Sequence, residues 1–265
     1  MNEAEPDILA TISAAVRERL VLKPAPADLE TRAREAAAAR SGGERRSLVA
    51  ALRKPGVRVI AECKRRSPSR GSLREPFDPV ELVRAYAAAG AAALSVVTEP
   101  EFFGGDPGWV ALVRHEVSPP VMQKDFLLTP RQVFEASLLG ADAVLLIARA
   151  LPGSLLSEML ALAGELGVEA LVEAHDAADL ERVLVLPAPM VGINARDLCT
   201  FRVDLEGAAQ LASRVPQDRI VVLESGIGGP ADVAALVRRG VRCFLVGEHL
   251  LRSRDPGAAL AELVQ

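Results

Sequence analysis

The stretch Gly140-Ala141-Asp142-Ala143-Val144-Leu145-Leu146-Ile147 joins the end of a predicted helix to a short run of apolar residues. Residues 130–139 before it have helical spacing, and a glycine is well suited to the C-terminal cap of that helix. The same joint recurs as Gly-Ala-Ala-Ala at 90–93, Gly-Val-Glu-Ala at 167–170 and Gly-Val-Arg-Cys at 240–243. A repeated helix-turn-strand joint predicts a fold assembled from consecutive βα units.

Eight apolar runs, four of which begin at these joints, predict eight β-strands. They are residues 57–62, 92–98, 121–124, 143–147, 170–173, 191–194, 220–224 and 243–246. Their starts lie roughly 20 to 35 residues apart, which is the length of one βα unit. The runs show little alternation of apolar and polar residues, as expected for parallel strands that are covered on both faces.

Amphipathic segments with helical spacing separate these strands, at 79–89, 130–139, 155–166, 177–186, 205–214 and 231–239. Eight units without a reversal favour a closed (β/α)8 TIM barrel over an open doubly wound sheet, which stays the alternative topology. Helical patterns at 6–20 and 29–39 precede the barrel, and we expect them to cover one of its ends. We therefore predict a single α/β domain over residues 1–265, with an N-terminal helical extension at 1–55 and the barrel at 56–265.

The composition restricts the classes of partner. The chain has 265 residues, half of them apolar, which is enough for one barrel of this kind. The net charge is −4 and no basic stripe interleaves with aromatic residues, which argues against nucleic acid. No apolar run approaches the ~20 residues of a membrane span, and the acidic N-terminus is unlike a signal peptide. We expect a cytoplasmic monomer that binds a small molecule.

The cysteines give no indication of a disulfide framework or a metal centre. Cys63, Cys199 and Cys243 are widely spaced and never form a Cys-x-x-Cys pair, so each is predicted to be a buried thiol. The three histidines are likewise scattered. We expect neither a metal nor another cofactor.

Lysine is rare in this chain, which draws attention to where it occurs. Only four of the 31 basic residues are lysines, and Lys64 and Lys124 stand where predicted strands end. Arginine cannot release its proton near neutral pH, whereas a partly desolvated ammonium can. We interpret both as site residues, with Lys124 as the proton donor. The alternative is that these two lysines have no chemical role and remain by chance in a chain whose other basic residues are mostly arginines.

The C-terminal strand ends carry further polar residues, and in a barrel of this type these ends surround one mouth. The predicted cluster consists of Glu62, Lys64, Lys124, Glu173, Asn194, Arg196 and Glu224. Charges of both signs must pair at such a place, and partial desolvation would lower the lysine pKa towards neutrality. A buried ion-pair network without chemistry is the alternative interpretation.

Loops at the same end predict a phosphate site and an apolar pocket. Glycine-containing turns at 225–229 and 247–249 follow the last two strands, where many such barrels bind phosphate. The first loop, 67–72, is polar and reads as a movable lid with a phosphate-contacting hydroxyl. Phe102, Phe103 and Phe126 follow neighbouring strands and suit an aromatic ligand, although core packing would also explain them.

Several motifs together resemble one known family. They are Ala-Glu-Cys-Lys-Arg-Arg-Ser-Pro-Ser from 61, Val-Val-Thr-Glu from 96, Phe-Phe-Gly-Gly from 102, Lys-Asp-Phe from 124, Gly-Ala-Asp-Ala-Val-Leu-Leu-Ile from 140, Leu-Val-Glu-Ala-His-Asp from 171, Gly-Ile-Asn-Ala-Arg-Asp-Leu from 192 and Glu-Ser-Gly-Ile from 224. In these motifs the chain resembles the indole-3-glycerol-phosphate synthases of tryptophan biosynthesis. The resemblance spans residues 57–252, and the first ~55 residues look like the N-terminal helices of that family.

The resemblance implies a carboxy-lyase that converts 1-(2-carboxyphenylamino)-1-deoxyribulose 5-phosphate to indole-3-glycerol phosphate, CO₂ and water. It implies Lys124 as general acid, Lys64 as the partner of the substrate carboxylate, and Glu173 as general base. Supporting roles fall to Glu62, Glu224, Asn194 and Arg196. The implied phosphate contacts are Ser67, Ser225, Gly226, Gly247 and Glu248. The implied anthranilate pocket is Pro68, Phe103, Phe126, Leu145 and Leu198.

Two other functions stay open at this point. A catalytically silent barrel would bind a phosphorylated metabolite without turnover, and an isomerase of a related amino-sugar phosphate would release no CO₂. His249 stands where the family commonly has a small hydroxyl residue, so backbone donors are expected to hold the phosphate there.

Overall fold

The computed structural model describes residues 8–40, 45–68, 70–197 and 201–265. Eight parallel strands close into a barrel in the order β1-β10-β9-β8-β7-β6-β5-β4. They are β1 Arg58–Cys63, β4 Ala93–Val97, β5 Val121–Lys124, β6 Ala143–Ile147, β7 Glu169–Ala174, β8 Met190–Asn194, β9 Ile220–Glu224 and β10 Cys243–Val246. Each predicted strand is present with its ends within one residue, so the TIM barrel prediction is confirmed and the open sheet is excluded.

The described residues also form helices and one small hairpin. The helices are α1 Ile8–Leu22, α2 Leu29–Ala39, α3 Leu48–Leu52, α4 Pro79–Ala88, α5 Pro100–Phe103, α6 Gly108–Glu116, α7 Pro130–Leu138, α8 Leu155–Glu165, α9 Ala177–Leu184, α10 Leu205–Ala212, α11 Pro230–Val237, α12 Glu248–Arg252 and α13 Pro256–Val264. The hairpin pairs β2 Arg66–Ser67 with β3 Gly71–Ser72. Helices α3, α5, α6 and α13 were not predicted from the sequence, because each is short and lacks a sustained helical period.

The strands are buried on both faces. Inside the barrel, Ile60, Met122 and Leu171 have no exposed surface, and they pack in one cluster with Leu245. Their outward neighbours, such as Phe244, are equally buried beneath the ring of helices. This two-sided burial accounts for the lack of alternation in the strand sequences.

Glycines end the helices at the repeated joints, as predicted. Gly90, Gly140, Gly167 and Gly240 have φ values of 92°, 82°, 64° and 91°. This left-handed region is unfavourable for residues with a Cβ, so these positions fix the point at which each helix turns into the next strand.

The N-terminal extension contacts both ends of the barrel, which corrects the expectation that it covers one end. Helix α1 lies at the C-terminal mouth, where Leu9 and Ile12 line the cavity. Helix α3 lies at the opposite end, because Val49 N donates to Glu169 Oε2 at 2.9 Å and Glu169 begins β7. Helix α2 packs on the outside against α7. A chain that crosses from one end to the other cannot be read from helical periodicity alone.

Helix α1 is held over the mouth by an ion pair. Arg19 Nη1 lies 3.1 Å from Glu99 Oε1, and the Glu99 side chain has no exposed surface. Glu99 also accepts hydrogen bonds from three backbone N–H groups at the start of α5, at residues 101, 102 and 103. One carboxylate therefore fixes both α1 and α5, the short helix that carries Phe103. Among the described residues, none of the helices has the length and apolarity needed to cross a bilayer.

Candidate active site

A cavity of about 790 Å³ opens at the C-terminal ends of the strands. Most of the residues predicted for the site line it: Glu62, Lys64, Ser67, Pro68, Phe103, Lys124, Phe126, Leu145, Glu173, Asn194, Arg196, Glu224, Ser225, Gly226 and Glu248. Gly247 does not line it, and Leu198 lies outside the described residues. The predicted site residues therefore lie together in the structure, because parallel strands place their C-terminal residues at one end of the barrel.

Two lysines and three glutamates form the floor of this cavity. Lys64 Nζ pairs with Glu62 Oε1. Lys124 Nζ lies 3.2 Å from Glu224 Oε2 and 3.6 Å from Glu173 Oε2. The three carboxyl groups are almost completely buried, with relative exposures of 1 to 3%. Buried carboxylates are costly unless they are paired, so the lysines hold this cluster together.

A glycine on β8 creates space for one of these carboxylates. A Cβ built at Gly192 would overlap Glu224 Oε1 and approach Glu173 Cα to 3.5 Å. No larger residue fits there while Glu224 points into the barrel. The packing of the interior therefore fixes the position of Glu224 beside Lys124.

The pKa of Lys124 does not move in the direction that we expected from the sequence. Burial lowers the pKa of this ammonium and is the largest single influence, but Glu224, Glu173 and Glu62 together outweigh it. The net pKa of Lys124 is therefore raised. The prediction of a lysine poised near neutrality is wrong for the free site, because a single sequence does not show how many carboxylates surround one amine.

Glu173 and Glu224 differ in their affinity for a proton. Burial raises the pKa of Glu224 to about 8, although Lys124 opposes the rise. The pKa of Glu173 is lowered, since burial raises it but the charge of Lys124 and the other neighbouring groups outweigh that effect. One proton shared by this pair thus resides on Glu224, and Glu173 is ionised near neutral pH. An ionised Glu173 can serve as a base.

An apolar wall stands beside the charged floor. The rings of Phe103 and Phe126 face each other with centroids 6.0 Å apart and an interplanar angle of 34°. Ile8, Leu9 and Ile12 of α1 line the same cavity, and the sequence analysis had not predicted their participation. Their helical spacing was visible, but only the fold shows which surface that face covers. The wall is suited to a flat aromatic group.

Positive charge gathers at the other side of the mouth. Three guanidinium groups surround the carboxylate of Glu248: Arg70 Nε at 3.3 Å, Arg196 Nη2 at 3.4 Å and Arg252 Nη1 at 3.3 Å. All four residues line the cavity. Arg196 pairs with this carboxylate and also donates from Nη1 to Phe201 O at 3.2 Å. The arrangement can bind an anion that competes with Glu248 or bridges the guanidinium groups.

The turn after β9 brings backbone to the same side. Ser225 and Gly226 have φ values of 68° and 78°. A Cβ at Gly226 would overlap Val203 Cγ1 and lie 3.1 Å from Leu205 Cδ2, so only glycine fits. Gly247 instead lies behind Glu62, where its missing side chain makes space for that carboxylate. The first loop, predicted as a lid, is the β2–β3 hairpin, and its movement stays a prediction.

Comparisons with known proteins show which family the chain belongs to. The family described as indole-3-glycerol phosphate synthase matches residues 8–263. The chain belongs to the indole-3-glycerol phosphate synthase family. A family member from Aromatoleum aromaticum is 52% identical over 205 residues, which cover 77% of this chain and 78% of that protein. The synthase from Azoarcus sp. is 46% identical over 97% of this chain and 98% of its own.

Solved structures of lower similarity share the fold. A 3-hexulose-6-phosphate synthase has a TM-score of 0.63 at 17% identity, over 78% of this chain and 97% of that one. A thiamine phosphate pyrophosphorylase from Pyrococcus furiosus has a TM-score of 0.59 at 18% identity, over 78% and 93%. At these identities the likeness concerns the barrel alone. The assignment to the synthase family therefore rests on the family match and its synthase relatives.

Proposed function

We propose that the cavity at the barrel mouth catalyses the indole-3-glycerol phosphate synthase reaction, with the roles of individual residues as follows. The substrate is 1-(2-carboxyphenylamino)-1-deoxy-D-ribulose 5-phosphate, and the products are indole-3-glycerol phosphate, CO₂ and water. The observation that carries the proposal is the meeting of Lys64 and Lys124 with three buried glutamates, between an aromatic wall and an arginine cluster. These three regions match the sugar, the anthranilate ring and the phosphate of the substrate.

Ring closure requires a proton donor at the substrate carbonyl. The arene carbon that bears the carboxylate attacks the carbonyl carbon, a carbon–carbon bond forms, and Lys124 donates a proton to the carbonyl oxygen. The raised pKa of Lys124 keeps the ammonium charged until a strongly basic alkoxide develops. Its charge therefore stabilises the developing oxyanion before the proton moves.

Loss of CO₂ and of water completes the indole. Cleavage of the bond to the carboxylate returns its electrons to the ring and restores the benzene system. Dehydration then breaks the bond between the former carbonyl carbon and its hydroxyl oxygen. Lys64 supplies the proton that completes the leaving water. Glu173 removes a proton from the neighbouring sugar carbon that is bonded to nitrogen. The ionised state of Glu173 supports this role, and protonated Glu224 can donate a hydrogen bond beside it.

The remaining residues bind and orient the substrate. Phe103, Phe126, Pro68 and Leu145 would enclose the anthranilate ring, while Lys64 holds its carboxylate before decarboxylation. Asn194 Oδ1 accepts a hydrogen bond from Arg196 N at 3.0 Å, which leaves its amide N–H groups for the sugar hydroxyls or Glu173. Backbone N–H groups of Ser67, Ser225, Gly226 and the first residue of α12 would donate hydrogen bonds to the phosphate. The guanidinium groups of Arg196 and Arg252 would supply positive charge. A cytoplasmic location and a monomeric state stay predictions.

A direct assay tests the proposed function. The purified protein is incubated with the anilino ribulose phosphate. The fluorescence of the product indole-3-glycerol phosphate and the amount of released CO₂ are measured together. We expect equal amounts of both. Binding of the substrate without either product would contradict catalysis and favour a silent barrel, whereas a new sugar phosphate without CO₂ would favour an isomerase.

A further inference from the structure

A buried histidine stands behind the proposed base. The His175 side chain is 3% exposed, and it is absent from the residues that line the cavity. Its Nε2 lies 3.2 Å from Glu173 Oε1, whereas Lys124 Nζ lies 3.6 Å from the other oxygen, Oε2. It directly follows β7, two positions after Glu173. The sequence analysis had treated His175 as one of three scattered histidines.

The environment of His175 connects it to a second ion pair. Its Nδ1 lies 3.8 Å from Asp179 Oδ2, which is beyond hydrogen-bond distance, and its backbone N donates to the same oxygen at 3.2 Å. Arg149 Nε holds Asp179 Oδ2 at 2.9 Å. Asp179 is therefore committed to Arg149 and to the His175 backbone. Of these two carboxylates, Glu173 lies nearer to a ring nitrogen of His175.

Neither ring nitrogen of His175 has a well-aligned hydrogen-bond partner among the described residues, and neither does Glu173 Oε2. A buried polar group without a partner requires an explanation, because its desolvation is uncompensated. Catalytic hydrogen bonds are often long or misaligned in empty sites and tighten when the substrate binds. The Nε2–Oε1 separation of 3.2 Å already lies within hydrogen-bond range, so the hydrogen bond requires a change of alignment and not of distance.

We propose that neutral His175, with its proton on Nε2, is a positioning residue that orients Glu173 for proton removal. Its N–H engages Oε1, which leaves Oε2 directed towards Lys124 and the substrate proton. This inference rests on the proposed function. It assigns His175 no direct contact with the substrate.

The charges around His175 are consistent with a neutral ring. Burial lowers the pKa of His175, and Arg149 and Lys124 add to that effect, while Glu173 and Asp179 oppose it. Around Glu173 itself, the charge of Lys124 and hydrogen bonds with Glu224 and Asn194 lower the pKa against the effect of burial. A neutral His175 adds no charge to these groups and acts on Glu173 through its Nε2–H. Loss of the imidazole N–H would remove one of the groups that keep Glu173 ionised, so the pKa of this base would rise.

Two variants separate the N–H from the volume of the ring. His175→Met fills similar space without a donor, and His175→Gln places an amide N–H near the position of Nε2. We expect H175M to lower kcat about 10-fold to 100-fold, with KM changed less than 3-fold, and to move the acidic limb of the kcat profile to higher pH. We expect H175Q to recover most of kcat. An unchanged kcat and acidic limb in H175M would overturn the proposal, as would an H175Q as impaired as H175M.

A measurement on the unmodified protein protects the test against misfolding variants. The chain has three histidines, so ¹⁵N NMR of the imidazoles, with His115→Gln and His249→Gln for assignment, resolves the His175 signals. We expect the neutral Nε2–H form at pH 7. An Nδ1–H form or an imidazolium would overturn the proposal. Absence of product from the wild-type protein would instead refute the proposed function, which distinguishes the two failures.

Discussion

Gly247 lacks a side chain at the point where Glu62 turns into the barrel. A Cβ built at Gly247 would overlap Glu62 Oε1 and come within 3.0 Å of its Cδ. The backbone of Gly247 has φ −126°, which any residue adopts, so the constraint is purely steric. Because β1 and β10 are hydrogen-bonded neighbours, the last strand sets the position of a carboxylate on the first. Glu62 in turn holds Lys64.

Gly247→Ala should displace Glu62 and loosen its pair with Lys64. We expect a loss of about 1–3 kcal/mol of unfolding free energy from overpacking, together with a clear fall in kcat. The matched control is Gly164→Ala in α8, where an added Cβ meets nothing within 4 Å and helix propensity should improve. Chemical denaturation and steady-state kinetics of both variants provide the measurement. A fully active G247A protein would show that Glu62 tolerates displacement.

Lys124→Arg should retain ligand binding but lose turnover. The guanidinium keeps the charge beside Glu173 and Glu224, but it does not release a proton near neutral pH. We expect kcat to fall by about 10²–10⁴-fold, with product binding reduced far less. Lys23→Arg, at an exposed position, is the control for the exchange itself. Retained turnover in K124R would remove Lys124 from the role of acid.

Arg196→Gln should affect substrate binding more than chemistry, because Arg196 belongs to the arginine cluster around Glu248. Loss of a charge-assisted contact to phosphate costs about 1.5–3 kcal/mol, so KM should rise about 10-fold to 100-fold while kcat changes less. Arg214→Gln, in an exposed pair with Glu181, is the matched control. A KM equal to that of the wild type would place the phosphate elsewhere.

Glu224 should make stability depend on pH. Its pKa in the folded protein, about 8, exceeds its ordinary value of 4.5, so the folded state binds more protons between these pH values. The corresponding stabilisation is fully present below pH 4.5 and is lost as the pH rises through about 8. Glu224→Gln stays neutral and should remove this contribution. Urea unfolding of both proteins from pH 5 to 9 tests it, and parallel pH profiles would contradict it.

Arg19→Met should weaken the attachment of α1 to the mouth. It removes the ion-pair partner of Glu99, whose side chain has no exposed surface. We expect a loss of about 1–3 kcal/mol and a higher KM, because α1 supplies part of the apolar wall. Arg17→Met lies on the exposed face of the same helix and should change neither quantity. Equal behaviour of the two variants would show that α1 is held by its apolar face alone.

The order of residues is enough to predict the barrel and the composition of its mouth. Continuous apolar runs, glycine joints such as Gly140 and their regular spacing admit few arrangements, because parallel strands must be covered on both faces. The same regularity sends every strand end to one rim, so Lys64, Lys124 and Glu173 could be grouped before any coordinates were known.

How these groups influence one another depends on the folded arrangement of the chain. The raised pKa of Lys124 depends on distances to three carboxylates from three other strands, and the position of His175 behind Glu173 depends on a side chain's direction. The ion pair between Arg19 and Glu99 joins residues far apart in sequence. So does the hydrogen bond from Val49 to Glu169, which holds the N-terminal extension at the opposite end of the barrel. Electrostatic energies vary with the distance between charges and with their burial, and neither quantity can be obtained from the sequence alone.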